Sequence, residues 1–326
     1  MPQQTTMAIA AGGVSALLFF GLFAGFFPGA LLAALTAVPL FAAGLGIGLP
    51  AAITASIAGT VTIALVVMFM ATGEGGFFPA VMTFLALHAI PAVVLSRQAL
   101  LSRPTPQGQE WYPAGLLVTW LVGIVVGYFA LALLIFALQG PGLLAVIEGL
   151  IAATAEALSD ANPNLFGGQS PIPLDSIPAI APFVPGIFAA SIMIFVVISG
   201  ALAQSLLTRF KRNLRPGGGF TELELPMPML YGFGVSLALS LTTGSLGMIG
   251  KTLAVILAVA YLLQGLAVLH AWARRWKGAA IVLTLLYLAL ILVWPAPVLV
   301  VGLGLVEQVA HLRRRGAGRG PGAEDE

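Results

Sequence analysis

The sequence contains no cysteine and very little charge, and both absences exclude classes of protein. Without cysteine the chain forms no disulfide, has no thiolate nucleophile and cannot ligate a metal through sulfur. Charged residues make up 8% of the 326 residues, against about 25% in soluble domains. So few charges cannot cover the surface of a globular body of this length. The composition therefore indicates an integral membrane protein whose main partner is the lipid bilayer.

Long apolar runs fill much of the chain and predict an all-α, polytopic transmembrane helical bundle. A span needs about 20 apolar residues, and about ten segments approach that length. The clear segments are 7–27, 47–70, 77–95, 113–138, 186–207, 252–272 and 278–294. The segments that are short or interrupted by glycine and proline are 29–43, 229–241 and 297–310. Segment 29–43 either spans the membrane or is re-entrant.

The basic residues predict the orientation of these segments, because cytoplasmic loops retain lysine and arginine. They form groups at 97–103, 209–215, 274–277 and 313–319, and only Lys251 lies apart. If the segments alternate, all of these groups fall on one side of the membrane and Lys251 falls on the other. Both termini are then cytoplasmic.

The same assignments predict a single membrane domain over residues 1–315 and a disordered cytoplasmic tail at 316–326. Residues 139–178 carry acidic but no basic residues, so we expect them outside the cell, as an interfacial helix at 143–159 followed by a loop. Residues 209–226 form a cytoplasmic loop.

None of the common catalytic patterns lies within the apolar segments. Asp160, Asp175 and Asp325 are the only aspartates, and all lie outside the segments. The string at 244–252 ends like a phosphate-binding loop, but Ser245 stands where that loop needs glycine. We therefore expect a protein that is not an enzyme, uses no cofactor or metal and binds no nucleic acid.

A few polar side chains within the apolar segments are the candidate ligand-binding residues, since polar groups are costly to bury in lipid. Tyr261 and Gln264, one helical turn apart, are the first candidates, and His88 beside Pro91 is the third. A hydrogen bond between helices explains each of them without any ligand.

Two further patterns concern metals and helix contacts. Glu307 and His311 lie four residues apart on one helical face, a spacing that can share a metal but also fits a paired, solvated helix end. Gly123 and Gly127 form a GxxxG motif, and residues 21–29 form a double one, so these helices can approach neighbours closely. Glycine is also simply common in membrane helices.

Two strings near the carboxyl end resemble the YybS-like family of uncharacterised bacterial membrane proteins. Residues 261–270 read Tyr-Leu-Leu-Gln-Gly-Leu-Ala-Val-Leu-His, and residues 302–308 read Gly-Leu-Gly-Leu-Val-Glu-Gln before a basic end. The resemblance implies a polytopic inner-membrane protein with no assigned reaction. It also implies a remote similarity to the substrate-binding membrane subunits of energy-coupling-factor vitamin transporters and to the rod-shape protein MreD. No binding residue is carried over.

The preferred interpretation is a small-molecule binding or transport module of the bacterial inner membrane, with its cavity among the helices that bear Tyr261, Gln264 and His88. Because the chain has no nucleotide-binding motif, active uptake would need a separate ATPase partner or an ion gradient. The alternative is a non-catalytic membrane scaffold that holds other envelope proteins through its basic loops and GxxxG faces. An outward-facing polar cavity would favour transport, and a sealed, fully packed bundle would favour the scaffold.

Overall fold

The structure of the chain is a computed structural model, and it describes residues 2–21, 27–70, 77–106, 108–161, 173–217, 219–274, 276, 278–293, 295–311 and 313. The predicted tail at 316–326 lies outside these residues. Within them the α-helices are α1 (Pro2–Phe20), α2 (Phe27–Ala34), α3 (Val38–Ile47), α4 (Leu49–Met70), α5 (Phe77–Phe84), α6 (Ile90–Ala99), α7 (Ala114–Gln139), α8 (Gly142–Ala161), α9 (Ile177–Ile180), α10 (Val184–Arg209), α11 (Met227–Ser240), α12 (Gly244–Ala273), α13 (Ala279–Leu292) and α14 (Ala296–Ala310). A π-helix, Leu85–Ala89, connects α5 to α6, and short 3-10 helices occupy Leu174–Ser176, Ala181–Phe183 and Gly219–Glu222.

Many of these helices are long and apolar enough to cross a membrane. In the described part of the chain there are 6 such segments: Leu49–Phe69, Phe78–Ala99, Ala114–Gln139, Gly142–Asp160, Ile177–Arg209 and Gly244–Ala273. Helices α13 and α14, bent by 118° relative to each other, bring the number to 7 if they form one broken span. The predicted helical membrane protein is therefore confirmed. The predicted number of about ten segments is not confirmed, and the cytoplasmic position of both termini stays a prediction.

Short helices explain the lower number. Segment 29–43 is divided between α2 and α3, which are separated by a turn at residues 35–37. Helix α11 has 14 residues and is about 21 Å long, less than the hydrocarbon thickness of about 30 Å. Apolar composition alone does not distinguish such pieces from full spans.

Helix α8 coincides with the segment that the sequence predicts to be interfacial. Its Ile147 is buried in a cluster with Ile177, Ala181 and Met248, whereas Leu150 is 65% exposed. Part of the predicted apolar face thus packs against protein. The helix is long enough to span a membrane, so its interfacial position stays a prediction.

A β-hairpin follows α6, and the all-α prediction missed it. Strand β1 (Ser102–Thr105) pairs antiparallel with β2 (Gly108–Trp111), which places Arg103 opposite Glu110. The Arg103 Nε donates a hydrogen bond of 2.8 Å to Glu110 Oε2. This hydrogen bond and the positive charge lower the pKa of the Glu110 carboxyl. Prolines beside β1 make the sequence look like an irregular loop.

The chain divides into two compact units, and each is described by itself. The first unit consists of Met1–Leu121 and Ile192–Leu223, and the second consists of Val122–Ser191 and Glu224–Glu326. Helices α7 and α10 contribute residues to both. The single membrane domain over residues 1–315 stays a prediction.

The helices of the first unit approach one another through small residues. A Cβ atom at Gly12 of α1 would overlap the carbonyl oxygen of Ala55 on α4, and one at Gly59 would lie 2.8 Å from the ring of Phe84. The Ser15 hydroxyl donates a hydrogen bond of 2.6 Å to the Thr36 carbonyl. Glycine and alanine therefore set the helix spacing in this unit.

The carboxyl ends of α3, α6 and α10 meet at one end of the first unit. The backbone N–H of Leu214 donates to the Leu45 carbonyl at 3.1 Å, and the Arg215 guanidinium donates to the Ala99 carbonyl at 3.2 Å. We call this the basic end, because several basic side chains are exposed there: Arg97, Arg209, Lys211 and Arg212.

Helix α12 forms the core of the second unit. In its most apolar stretch, 67% of the residues are buried inside the protein. In the other candidate spans the buried share is 11–33%. It packs against α11 on one side and α14 on another. A polar residue in the buried stretch of α12, such as Gln264, therefore meets protein rather than lipid.

Candidate functional site

Two glutamine amides in the second unit hold the backbone of Leu225 between helices α12 and α14. The Leu225 N–H donates a hydrogen bond of 2.9 Å to Gln264 Oε1, and the Leu225 carbonyl accepts one of 2.8 Å from Gln308 Nε2. The Gln264 Nε2 donates to Gln308 Oε1 and to the Gly304 carbonyl, both at 3.0 Å. We call Gln264, Gln308 and the Leu225 backbone the amide clamp.

Every amide hydrogen of the clamp has an acceptor. The second Gln308 hydrogen points to the Met227 sulfur, with the nitrogen 3.3 Å from Sδ. The exposed fraction is 0% for Gln264 and 6% for Gln308, so neither amide reaches solvent or lipid. The clamp thus supplies a short extended segment with the hydrogen bonds that a neighbouring strand would otherwise provide.

Glycine makes this arrangement possible, because it lets α12 and α14 touch. A Cβ at Gly265 would overlap the carbonyl oxygen of Val300, and a Cβ at Gly304 would overlap that of Tyr261. Gly265 and Gly304 are thus the points of closest approach between these two helices. Gly304 lies one turn before Gln308 on the same face of α14, which directs that amide towards Gln264.

An ion pair lies directly beside the clamp. Glu307 is 2% exposed, and its Oε1 accepts a hydrogen bond of 2.8 Å from Arg313 Nε, while its Oε2 accepts one of 3.3 Å from the Arg313 backbone. The Arg313 Nη2 lies 3.9 Å from Glu224 Oε1, next to the clamped Leu225. The helix end at Glu307 is paired, as the sequence suggested, but it is buried rather than solvated.

Tyr261, the second candidate, is buried one turn before Gln264, as predicted. Its ring lies 5.5 Å from that of Phe233, measured between centroids. Its hydroxyl has no hydrogen-bond partner among the described residues, although the side chain is 0% exposed. A buried hydroxyl without a partner is an exception to the usual satisfaction of polar groups.

His88, the third candidate, belongs to the first unit, whereas Tyr261 and Gln264 belong to the second. It lies in the π-helix, where the Ile90 N–H donates to the Leu85 carbonyl five residues earlier, because Pro91 interrupts the normal α-helical bonding. Its ring contacts Phe19 and Phe84, with centroids 6.0 and 5.9 Å away. A ligand-binding role for the three candidates stays a prediction.

Two other polar features of α12 have structural explanations. The His270 Nδ1 donates to the Leu266 carbonyl at 2.8 Å. The string at 244–252 is helical, so it does not form a phosphate-binding loop. Its Lys251 ammonium lies 5.1 Å from the centroid of the Phe183 ring.

A metal site is not formed by the residues that the structure describes. No group of three histidine, cysteine, aspartate or glutamate side chains comes together among them. His311 follows the end of α14 in a left-handed conformation, and its side chain is exposed, whereas the Glu307 side chain is buried. The two side chains therefore do not form the shared metal site that their spacing allows.

Sequence reasoning identified Gln264 but missed its partners Gln308 and Leu225. Gln308 stands close to a run of arginines and looks like part of a solvated helix end. Its position one turn after Gly304 was the available signal, since glycine marks a close contact. The Leu225 backbone carries no side-chain signal at all.

No curated protein and no solved structure matches the chain. A family model does match it over residues 31–307, and its description is "predicted membrane protein (DUF2232)". This match supports an uncharacterised membrane family embedded in a lipid bilayer. It does not extend to the YybS-like name or to the remote similarities with vitamin-transporter subunits and MreD. Because the match covers most of the sequence, the chain belongs to the DUF2232 family of predicted membrane proteins.

Proposed function

We propose that the protein is a non-catalytic scaffold of the bacterial inner membrane that holds other envelope proteins. The amide clamp is the observation that carries this proposal. Gln264 and Gln308, the polar groups that could have lined a substrate cavity, bind the chain's own backbone instead. A ligand could reach these amides only by breaking hydrogen bonds whose loss costs about 1–3 kcal/mol for each buried group left unpaired.

The neighbouring ion pair supports the same function. Glu307 holds Arg313 at the end of α14, and Arg313 also lies 3.9 Å from Glu224, next to the segment that the clamp holds. Two kinds of interaction therefore make this part of the second unit rigid. A rigid body suits a protein whose role is to present fixed surfaces to partners, whereas alternating access needs an element that moves.

A small-molecule binding or transport module is the second candidate, and the Tyr261 hydroxyl favours it. That hydroxyl is fully buried and has no partner among the described residues, so it is available to a small polar ligand. The resemblance of residues 261–270 to the YybS-like family, and its remote similarity to vitamin-transporter subunits, point the same way. Such a module would need a separate ATPase or an ion gradient.

Variants of Gln264 and Tyr261 distinguish the two candidates. The protein and its variants Gln264→Leu and Tyr261→Phe are purified in mild detergent, and thermal melting and co-purifying small molecules are measured. A scaffold predicts a lower melting temperature for Gln264→Leu, little change for Tyr261→Phe and no molecule specific to the wild type. Tyr231→Phe is the matched control, since Tyr231 is 67% exposed.

The scaffold also predicts a direct contact with another envelope protein in cells. A photoreactive amino acid at Gln109, an exposed position of the hairpin, should give one discrete protein adduct. A small molecule that co-purifies with the wild type and is lost in Tyr261→Phe at unchanged stability would overturn the scaffold in favour of transport. The absence of any adduct from exposed positions would count against it too.

A further inference from the structure

An apolar groove lies in the first unit between α4 and the helical segment formed by the π-helix and α6. It has a volume of about 350 Å³, is open on one side, and its exposed surface is entirely apolar. Its apolar side chains are mainly Ile53, Ile57 and Val61 on α4 and Ile90, Val93 and Val94 on α6. Ser56 and Thr60 also line it, but their hydroxyls contribute no exposed surface. Several of the apolar side chains are strongly exposed, with Ile57 at 59%.

The groove runs from the basic end of the unit towards its interior. Helix α6 ends at Ala99, which bonds Arg215 at the basic end, and α4 begins next to α3, whose Leu45 bonds Leu214 there. Ile53 and Val94 are thus the wall residues nearest that end. From Ile53 to Val61 the wall is about 12 Å long at 1.5 Å per residue. One leaflet of the hydrocarbon core is about 15 Å deep, half of about 30 Å.

Arg97 stands at the mouth of this groove. It follows Val93 and Val94 by four and three residues, so it lies on the same face of α6, one turn closer to the basic end. The side chain is exposed, and no described residue pairs with its guanidinium. Arg209, Lys211 and Arg212 add positive charge at the same end.

We propose that the first unit binds one anionic phospholipid, with an acyl chain in the groove and the phosphate on Arg97. The groove presents no polar atom, which suits a hydrocarbon chain, and its length matches the part of an acyl chain in one leaflet. The guanidinium is placed where the phosphate of that lipid lies, and arginine binds phosphate through paired hydrogen bonds.

Native mass spectrometry of the detergent-solubilised protein tests this site directly. We expect the wild type to retain one phosphatidylglycerol in preference to phosphatidylcholine. Arg97→Gln should weaken phosphatidylglycerol binding by roughly fivefold and remove the preference, as expected for the loss of one cation at a membrane surface. Arg103→Gln is the matched control, because Arg103 is already paired with Glu110.

A second pair of variants tests the groove. Ile57→Trp fills it and should abolish retention of the lipid, whereas Leu65→Trp changes a similarly exposed residue of α4 outside it and should retain the lipid. If Ile57→Trp does not fold, phosphatidylglycerol with a photoreactive acyl chain is cross-linked to the wild type. The adducts should then map to the groove walls.

Equal retention of phosphatidylglycerol by the wild type, Arg97→Gln and Arg103→Gln would overturn the proposal. So would adducts spread evenly over all exposed helices. Because the chain has no cysteine, Ile57→Cys also tests for a second copy in the groove. A disulfide dimer through that residue would assign the groove to protein rather than lipid.

Discussion

In the second unit the buried amides of Gln264 and Gln308 donate all of their hydrogens. In contrast, several buried hydroxyls have no partner among the described residues: those of Thr36, Ser56 and Ser96 in the first unit and those of Thr252 and Tyr261 in the second. Both units bring helices together through glycine, and the amide clamp adds polar bonds that fix one backbone segment. A polar residue inside an apolar helix stabilises the fold only where the chain supplies its partner.

The difference predicts opposite responses to the removal of polar groups. Where every hydrogen has an acceptor, removal of the polar side chain leaves its buried partner unpaired. The loss in the free energy of unfolding is then large. Where a hydroxyl has no partner, its deletion removes a group that is already unsatisfied. Substitutions of the paired groups and of the unpaired hydroxyls therefore test this difference through the stability of the protein.

Glu307→Leu should have the largest effect, because it leaves the Arg313 guanidinium buried without its main partner. Removing one member of a buried ion pair costs about 3–5 kcal/mol, and we expect the lower end because Glu224 lies 3.9 Å from Arg313. Thermal melting in detergent measures the loss. Glu224→Gln is the control and should cost less than about 1 kcal/mol, since Glu224 is 43% exposed. A similar loss in both variants would contradict the assignment.

Gln264→Leu should come next. It leaves the Leu225 N–H and the Gln308 Oε1 without their hydrogen-bond partner. This should lower the stability by about 1–3 kcal/mol. The side chain is removed without changing the glycine contact at Gly265, so packing alone predicts a much smaller change. Gln204→Leu is the control, because the Gln204 hydrogen bond is only partly buried. The melting temperatures of the two variants are compared with that of the wild type, and Gln264→Leu should lose more.

Glu110→Gln should have a small and local effect on the hairpin of the first unit. The pKa of Glu110 is lowered by Arg103, so the carboxylate stabilises the hairpin above the ordinary glutamate pKa of about 4.3. This contribution is lost as the pH falls through the lowered pKa. Hydrogen exchange of residues 102–111 should be slower in the wild type than in the variant at neutral pH. At a pH below this lowered pKa the two should converge, and a difference that stays constant with pH would exclude the ion pair as the cause.

Ser56→Ala should have the smallest effect, because the Ser56 hydroxyl is buried without a described partner. We expect the melting temperature to stay the same or rise slightly, within about 0.5 kcal/mol of the wild type. Ser15→Ala is the contrast in the same unit, since the Ser15 hydroxyl donates to the Thr36 carbonyl. A loss for Ser56→Ala as large as that for Gln264→Leu would remove the distinction between paired and unpaired buried groups.

The sequence predicted the long helices and the burial of Tyr261 and Gln264, because both follow from the cost of polar groups in hydrocarbon. It did not predict the hairpin around Arg103, where prolines and a glycine mask the strand pattern. It also missed Gln308 as the partner of Gln264. Gln264 and Gln308 are 44 residues apart in the sequence, and their contact depends on how two helices pack. The spacing of side chains within one helix does not predict such a contact.

A double-mutant cycle of Gln264→Leu and Gln308→Leu tests whether the amide clamp is cooperative. The two amides bond each other and the same backbone residue, so either single variant already breaks most of the clamp. We therefore expect the double variant to cost at least about 1 kcal/mol less than the sum of the single variants. Losses that add within about 0.5 kcal/mol would mean that the two glutamines act independently and that the clamp is not a unit.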